Sequence, residues 1–263
     1  MNSLRAMAGA AAVEPSRTHL VLIPSYNPGA KVFETVRGAM QQWNPVWVVV
    51  DGSTDGTPEG LLKLAEEEPA LRVLVLPQNV GKGSAVLHGI EAAALEGYTH
   101  ALTMDSDGQH PADLIPNFMA ASQANPRALV LGKPVFDSNA PVIRVQGRKL
   151  SNVWANIETF GGNIGDSLYG FRIYPIADLV AVMRAQHWMR RFDFDPEAAV
   201  RLVWRGLKAV NIDAPVKYLS AEEGGVSHFN YLRDNVLLTW MHTRLVFGFV
   251  LRLPVLVGRR IFG

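Results

Sequence analysis

Ala101-Leu102-Thr103-Met104-Asp105-Ser106-Asp107-Gly108-Gln109-His110 is the stretch on which the reading of this chain turns. An apolar run of strand type, His100–Met104, releases two carboxylates one residue apart. At the end of a strand, Asp105 and Asp107 offer oxygen ligands to the open edge of a sheet. Hard cations such as Mg²⁺ and Mn²⁺ prefer oxygen, and Mg²⁺ commonly takes only one or two protein carboxylates when substrate phosphates complete its shell. The pattern implies a divalent ion shared with a nucleoside diphosphate. An isolated Asp-x-Asp is more often only an acidic turn, so the weight falls on its surroundings.

Outward from that stretch, short β-branched runs alternate with helical patterns. His19–Ile23, Val46–Val50, Arg72–Leu76, His100–Met104 and Ala128–Leu131 read as strands. Lys31–Gln42, Pro58–Glu67, Lys82–Leu95 and Asp113–Ala124 read as helices between them. This alternation predicts an α/β fold with a mostly parallel sheet flanked by helices. The unbroken apolar run Val46-Trp47-Val48-Val49-Val50 fits a strand covered on both faces. Ligands of such sheets sit beyond the carboxyl ends of the strands. Four polar segments follow the first four strands and converge there: Pro24-Ser25-Tyr26-Asn27, Asp51–Thr57, Asn79–Ser84 and the Asp-x-Asp.

The chain has 263 residues, 48% of them hydrophobic, enough for one sizeable core, and no repeat or low-complexity linker divides it. A formal net charge of +1 gives no argument for nucleic acid. The absence of cysteine excludes disulfide scaffolds, thiolate zinc sites and cysteine nucleophiles. Residues 1–18, small-residue and brief in their apolar centre, read as a disordered leader rather than an export signal, which favours the cytoplasm. The expected organisation is leader 1–18, catalytic domain 19–229 and an amphipathic helical extension 230–263.

Asn79–Ser84 has the make-up of a phosphate cradle, with glycines for close approach, free N–H groups at a helix start and Lys82 as a counter-charge. Its spacing is not that of a P-loop, and no Gly-x-Gly-x-x-Gly follows the first strand. Asp51 can face a nucleotide, while Ser53, Thr54 or Asp55 equally caps the helix at Pro58. In the second half, Arg148 and Ser151-Asn152 open a helical stretch. Arg172, after Asp166-Ser167-Leu168-Tyr169-Gly170-Phe171, is a plausible anion clamp by guanidinium geometry. Asp193, Asp195 and Glu197 precede or open a helix over 196–205, where the macrodipole alone favours acids. Ser227-His228-Phe229 carries a lone histidine.

In order and spacing, Pro24–Asn27, Asp51–Thr57, Asn79–Gly89, Asp105–His110, Asp166–Arg172 and Ser227–Phe229 resemble the family 2 inverting glycosyltransferases, in their polyprenyl-phosphate (dolichyl-phosphate-mannose-synthase-like) branch. The resemblance implies a GT-A fold, a nucleotide-sugar donor and Mn²⁺ or Mg²⁺. By motif match, Asp105, Asp107 and Gln109 would hold the metal. Pro24, Tyr26, Asn27, Asp51, Ser53, Lys82, Asp105 and Ser106 would bind the nucleotide-sugar. Arg148, Ser151 and Arg172 would meet an acceptor phosphate. Two departures stand out. The family usually shows two consecutive aspartates where this chain has Val50-Asp51, and an acid where it has Pro28-Gly29.

A phosphate acceptor needs positioning and cations. A hydroxyl acceptor needs a base, for which Asp166, Asp195 and Glu197 are the candidates. A catalytically silent nucleotide-binding scaffold is the reading from another class. In the C-terminal extension, interruptions at Arg244, Arg252 and Pro254 leave no unbroken apolar run of the roughly 18–20 residues that a spanning helix needs. Arg233, Asp234, Arg244 and Arg252 fall within roughly a 100° sector of a helix. That predicts an interfacial helix with its cationic face toward lipid head groups, peripheral on the cytoplasmic face of the inner membrane; a core-packing or dimer-forming helix is the alternative.

Overall fold

The computed structural model describes residues 13–136, 142–216 and 231–262. Seven strands form one sheet: β1 (His19–Ser25), β2 (Val46–Asp51), β3 (Leu71–Leu76), β4 (His100–Thr103), β5 (Ala128–Val135), β6 (Arg172–Pro175) and β7 (Lys208–Pro215). Their spatial order is β3-β2-β1-β4-β6-β5-β7. All neighbours run parallel except β6, which is antiparallel to both β4 and β5.

The β-branched strands alternate strictly between two cores. Leu20, Leu22, Trp47 and Val49 pack on one face, and Val21, Ile23, Val46, Val48 and Val50 on the other. Each fully buried side chain of this kind contributes about 1.5–3 kcal/mol. Helices α1 (Lys31–Met40), α2 (Thr57–Glu67) and α4 (Ile115–Ala124) cover the second face. The first is covered by α3 (Lys82–Leu95), α6 (Ile176–Arg184) and α7 (Phe194–Trp204). Helix α5 (Val142–Glu158) lies beside α7, and α8 (Tyr231–Phe262) rests on both.

Three expectations need correction. Residues 13–18, assigned to the leader, are held against the domain: Asn44 Nδ2 donates to the Val13 carbonyl and Ser16 N–H to the Asn44 carbonyl. The helix expected from Asp113 begins as a tighter turn, Ala112–Leu114, before α4. Leu232–Ile261 is long and apolar enough to cross a membrane by length and composition, with mean hydropathy 1.3. Yet α8 lies along the domain, with Met241, Leu245 and Leu256 buried against it.

Part of the cationic sector of α8 turns inward, against the expectation. Arg244 pairs with the buried Glu197 at 3.0 Å and lies over Trp188. Arg252 stacks on Trp204, and Arg259 donates to the Trp204 carbonyl. Asp234 is buried. A buried carboxylate and two indole faces engage these guanidiniums. The apolar side chains Leu232, Val236, Trp240, Phe247, Leu251 and Val255 of α8 are left exposed.

Candidate active site

The carboxyl ends of β1 to β4 lie at one edge of the sheet, and antiparallel β6 starts there. The polar loops therefore meet around one cavity of about 1140 Å³. Pro24, Tyr26, Asp51, Lys82, Asp105, Ser106, Asp107, Gln109, Arg148, Ser151 and Asp195 line it.

At its centre Lys82 Nζ lies 2.7 Å from Asp105 Oδ1 and 2.7 Å from Asp195 Oδ2. Burial works against the lysine's charge, but the two carboxylates outweigh it and hold the ammonium firmly protonated. Gly170 makes room for this junction, since a Cβ there would come within 2.7 Å of Lys82 Nζ. Burial likewise works to raise the Asp105 carboxyl, and Lys82, with His110, turns the net shift downward. Asp107 goes the opposite way, up to about 6, through burial and the neighbouring Asp105 charge. His110 is lowered to about 4, chiefly by burial, so it is neutral at neutral pH. Its Nδ1 accepts the Asp105 N–H at 2.9 Å, which directs Nε2–H toward the Asp105 carboxylate, 3.6 Å away.

Two crowded carboxylates, one of them resisting ionisation, form a donor set that a hard divalent cation would relieve. Asp105, Asp107 and Gln109 on the cavity wall fit such an ion. Among the described residues no group of three acidic or histidine side chains stands close enough to hold it alone. Oxygens of a bound diphosphate would complete the shell.

Several expected site residues also hold the scaffold together. The Asn79–Ser84 cradle is filled from within, because Val80 and Gly81 N–H donate to the Asp51 carboxylate at 2.8 and 2.9 Å. Gly81, at φ 96°, admits the Arg190 carbonyl where a Cβ would clash at 2.4 Å. Asp51 thus clamps the β2 and β3 loops together through both carboxylate oxygens while standing on the cavity wall. Asn27 and Ser53 do the same for the β1 and β2 loops: Asn27 N–H donates to Ser53 Oγ, and Thr54 N–H to Asn27 Oδ1. Asp55 accepts from Thr57 and from Gly29 N–H, capping α2 and tying it to the β1 loop.

Arg172, expected at an acceptor phosphate, is fully buried. It sits in register between Thr103 of β4 and Leu131 of β5, and donates to the carbonyls of Tyr169, Asp195 and Asp166. Glu197, a candidate base, is also fully buried, with Arg201 and Arg244 on its oxygens. Asp166 accepts from Leu168 N–H, Tyr169 N–H, Asn152 and Arg148, so it orients Arg148, and it does not line the cavity. Asp193 accepts from the Met189 and Arg191 amides and shapes the turn into α7. Of the three candidate bases only Asp195 reaches the cavity. Its Oδ1 is buried with no hydrogen-bond partner among the described residues. Ser227-His228-Phe229 lies outside the described residues.

The cavity also has walls that the sequence reading did not assign to it: Arg191, Arg233, His242, Trp154 and Phe247. Arg191 stands in Arg190-Arg191-Phe192-Asp193, where a basic pair beside an acid-rich helix start was the available signal. His242 had none, being one of several polar residues scattered through a largely apolar helix.

Comparison with known proteins agrees with this architecture. The model of glycosyl transferase family 2 matches residues 20–176, more than half of the chain and all four strand-end loops. The undecaprenyl-phosphate mannosyltransferase of Micrococcus luteus is 27% identical over 212 residues, covering 78% of this chain and 85% of that protein. The polyprenol monophosphomannose synthase of Mycolicibacterium smegmatis is 26% identical over 221 residues, covering 81% and 82%. In fold, the chain is similar to glucosyl-3-phosphoglycerate synthase from Mycobacterium tuberculosis, crystallised with Mn²⁺, UDP-glucose and glycerol 3-phosphate. That likeness has a TM-score of 0.54 at 18% identity and covers 79% of this chain and 74% of that one. S. aureus TarS also matches at TM-score 0.54 and 17% identity, with 76% of this chain covering 37% of the longer one. A GT-A sheet with its acids gathered at one edge, and a family match spanning those acids, make this chain a glycosyltransferase of family 2.

Proposed function

We propose that this glycosyltransferase moves a sugar from a nucleotide-sugar to a polyprenyl phosphate, with inversion and with Mn²⁺ or Mg²⁺. The observation that carries the reading is the make-up of the cavity. Acids and a lysine from the strand-end loops line one part, Arg148 and Ser151 another, and the exposed apolar side chains Leu150, Trp154 and Phe247 a third. A charged donor and a phosphate on an apolar chain match those parts.

A divalent ion at Asp105, Asp107 and Gln109 would supply Lewis-acid neutralisation of the diphosphate. Lys82 stands beside Asp105 and would meet the same developing charge once its contact with Asp105 opens. On the other side Arg148, oriented by Asp166, would hold the acceptor phosphate with the acceptor oxygen behind the anomeric carbon. The new carbon–oxygen bond forms as the bond to the diphosphate breaks, and that electron pair leaves on the nucleoside diphosphate. A phosphate monoester, with a second pKa of about 6, is largely a dianion at neutral pH and needs no base. The place of Asp195 on the cavity wall favours a second reading, a hydroxyl acceptor whose proton Asp195 takes. The exposed apolar side chains of α5 and α8 support a peripheral position on a membrane, which we assign to the cytoplasmic face of the inner membrane as part of the proposal.

The test is transfer from a panel of UDP- and GDP-sugars to polyprenyl phosphate in lipid vesicles, with Mn²⁺, Mg²⁺ or chelator. The expected result is a lipid-linked product of inverted configuration that chelator abolishes. No product from any pair, or full activity in chelator, overturns the reading. A product that survives Asp195→Asn supports phosphate over hydroxyl as the acceptor group.

A further inference from the structure

Among the polar side chains that helix α8 sends into the wall of the cavity, His242 joins a continuous hydrogen-bonded chain. Glu158 Oε1 lies 2.8 Å from His242 Nδ1, and His242 Nε2 lies 3.1 Å from Ser151 Oγ. Ser151 Oγ lies 2.9 Å from Ser167 Oγ. Ser167 meets Asn152 Oδ1, and Asn152 Nδ2 donates to Asp166, which holds Arg148 at 2.8 Å. At first sight Ser151, His242 and Glu158 are spaced like a nucleophile, a base and its orienting acid.

Counting protons gives the chain a direction that rules this out. Asn152 Nδ2 faces the Gly165 carbonyl and the Asp166 carboxylate, both acceptors, which fixes the amide with Oδ1 toward Ser167. Ser167 N–H donates to the same Oδ1, as does the Ser167 hydroxyl proton. Ser167 Oγ can then only accept from Ser151, whose single hydroxyl proton is spent there. Ser151 must therefore accept from His242 Nε2–H, and His242 is a donor, not a base.

With Nε2 protonated, a proton must also lie between Nδ1 and Glu158, since a carboxylate facing a bare ring nitrogen would be repulsive. Glu158 is fully buried, and its Oε2 has no partner among the described residues. Burial raises its carboxyl, the hydrogen bond and charge of His242 oppose that, and Glu197 adds to it. Glu197 is itself engaged by Arg201 and Arg244, and Arg148 by Asp166.

We infer that His242 is a positioning residue: Asn152 fixes the direction of the Asp166–Asn152–Ser167–Ser151 chain, and His242 Nε2–H is the donor that completes it at Ser151, so docking of α8 is tied to the segment that holds Arg148. The consequence for an acceptor phosphate rests on the reading above, whereas the proton arrangement does not.

Two measurements on the full chain test it. Nitrogen-15 NMR of the imidazole at neutral pH should find His242 Nε2 protonated; an Nδ1–H tautomer with bare Nε2 overturns the inference, whatever the enzyme's substrate. In transfer assays, His242→Ala should raise KM for polyprenyl phosphate by about fivefold, the size of one lost hydrogen bond. KM for the nucleotide-sugar should stay within twofold, and His242→Gln, which keeps a donor, should recover most of the loss. Equal changes in both KM values, or no recovery with Gln, mean a structural role only. If the wild-type chain transfers nothing to a phosphate, the functional reading fails while the NMR result still decides the proton arrangement.

Discussion

The two sides of the cavity use their charges differently. On the side built by β1 to β4, Asp105, Asp107 and Lys82 stand at the cavity wall. On the side built by β6 and α7, Arg172, Asp166, Asp193 and Glu197 have sunk into the packing. Strand direction explains much of this. A parallel strand releases its following loop beyond the sheet, so Asp105 clears the edge. Arg172 opens an antiparallel strand while already paired to Thr103 and Leu131, and it is enclosed on every side. Charge near a site is thus not charge in it.

The sharpest break of that contrast is Arg172→Ala. It removes the donor from three buried carbonyls and leaves a void, which should cost about 3–5 kcal/mol. Chemical denaturation should show the loss directly. A variant of full stability with a raised acceptor KM alone would return Arg172 to the acceptor site. Asp105→Asn should do the opposite, lowering turnover at least a hundredfold, or about 2.7 kcal/mol. It should leave the unfolding midpoint close to wild type, because Lys82 keeps Asp195. Nucleotide binding that no longer responds to Mn²⁺ would accompany it, and unchanged turnover would remove Asp105 from the chemistry.

A third measurement concerns the edge of the sheet away from the cavity. There His19 and His100 stack with ring centroids 4.4 Å apart, and His19 meets Ser122 Oγ at 3.1 Å. Burial, and then the charge of His100, lower His19 to about 4. The unfolded chain binds this proton more readily than the folded one. Stability is therefore full above about pH 6.5 and falls as pH drops toward 4. Allowing for solvent screening, the loss is about 2 kcal/mol. His19→Gln should flatten that slope in denaturation curves between pH 7 and 4; an unchanged slope would assign the acid sensitivity to other groups.

The alternation of apolar strands with helices made the first half legible: β1 to β5 and α1 to α4 fall within a few residues of their expected bounds. The convergence of four loops followed from parallel topology alone. Side-chain allocation did not follow. Nothing in Asn79–Ser84 shows that Asp51 occupies its amides, because that bond joins residues 29 and 30 positions apart. Arg172 looked like a clamp because a sequence cannot tell an arginine bonded to backbone carbonyls from one facing solvent. The four-residue strand β6 was hidden in a stretch too short to show a period.

Helix α8 offers the smallest and most discriminating effect, since its helical periodicity is compatible with either orientation. Its arginines, grouped on one side, read as a lipid-facing stripe, yet they meet Glu197, Trp188 and Trp204, and the apolar stripe is left outside. If that stripe is what meets a bilayer, Leu251→Ser and Phe247→Ser should each weaken partition onto anionic vesicles by about fivefold, or about 1 kcal/mol. Thermal stability should hardly change, because both side chains are exposed, at 80% and 70%. Arg244→Gln should do the reverse. It strips a partner from a buried carboxylate and lowers stability, with vesicle partition of the folded protein unaltered. Loss of vesicle binding in Arg244→Gln, with none in Leu251→Ser, would restore the cationic face to the membrane and require α8 to turn over on the domain.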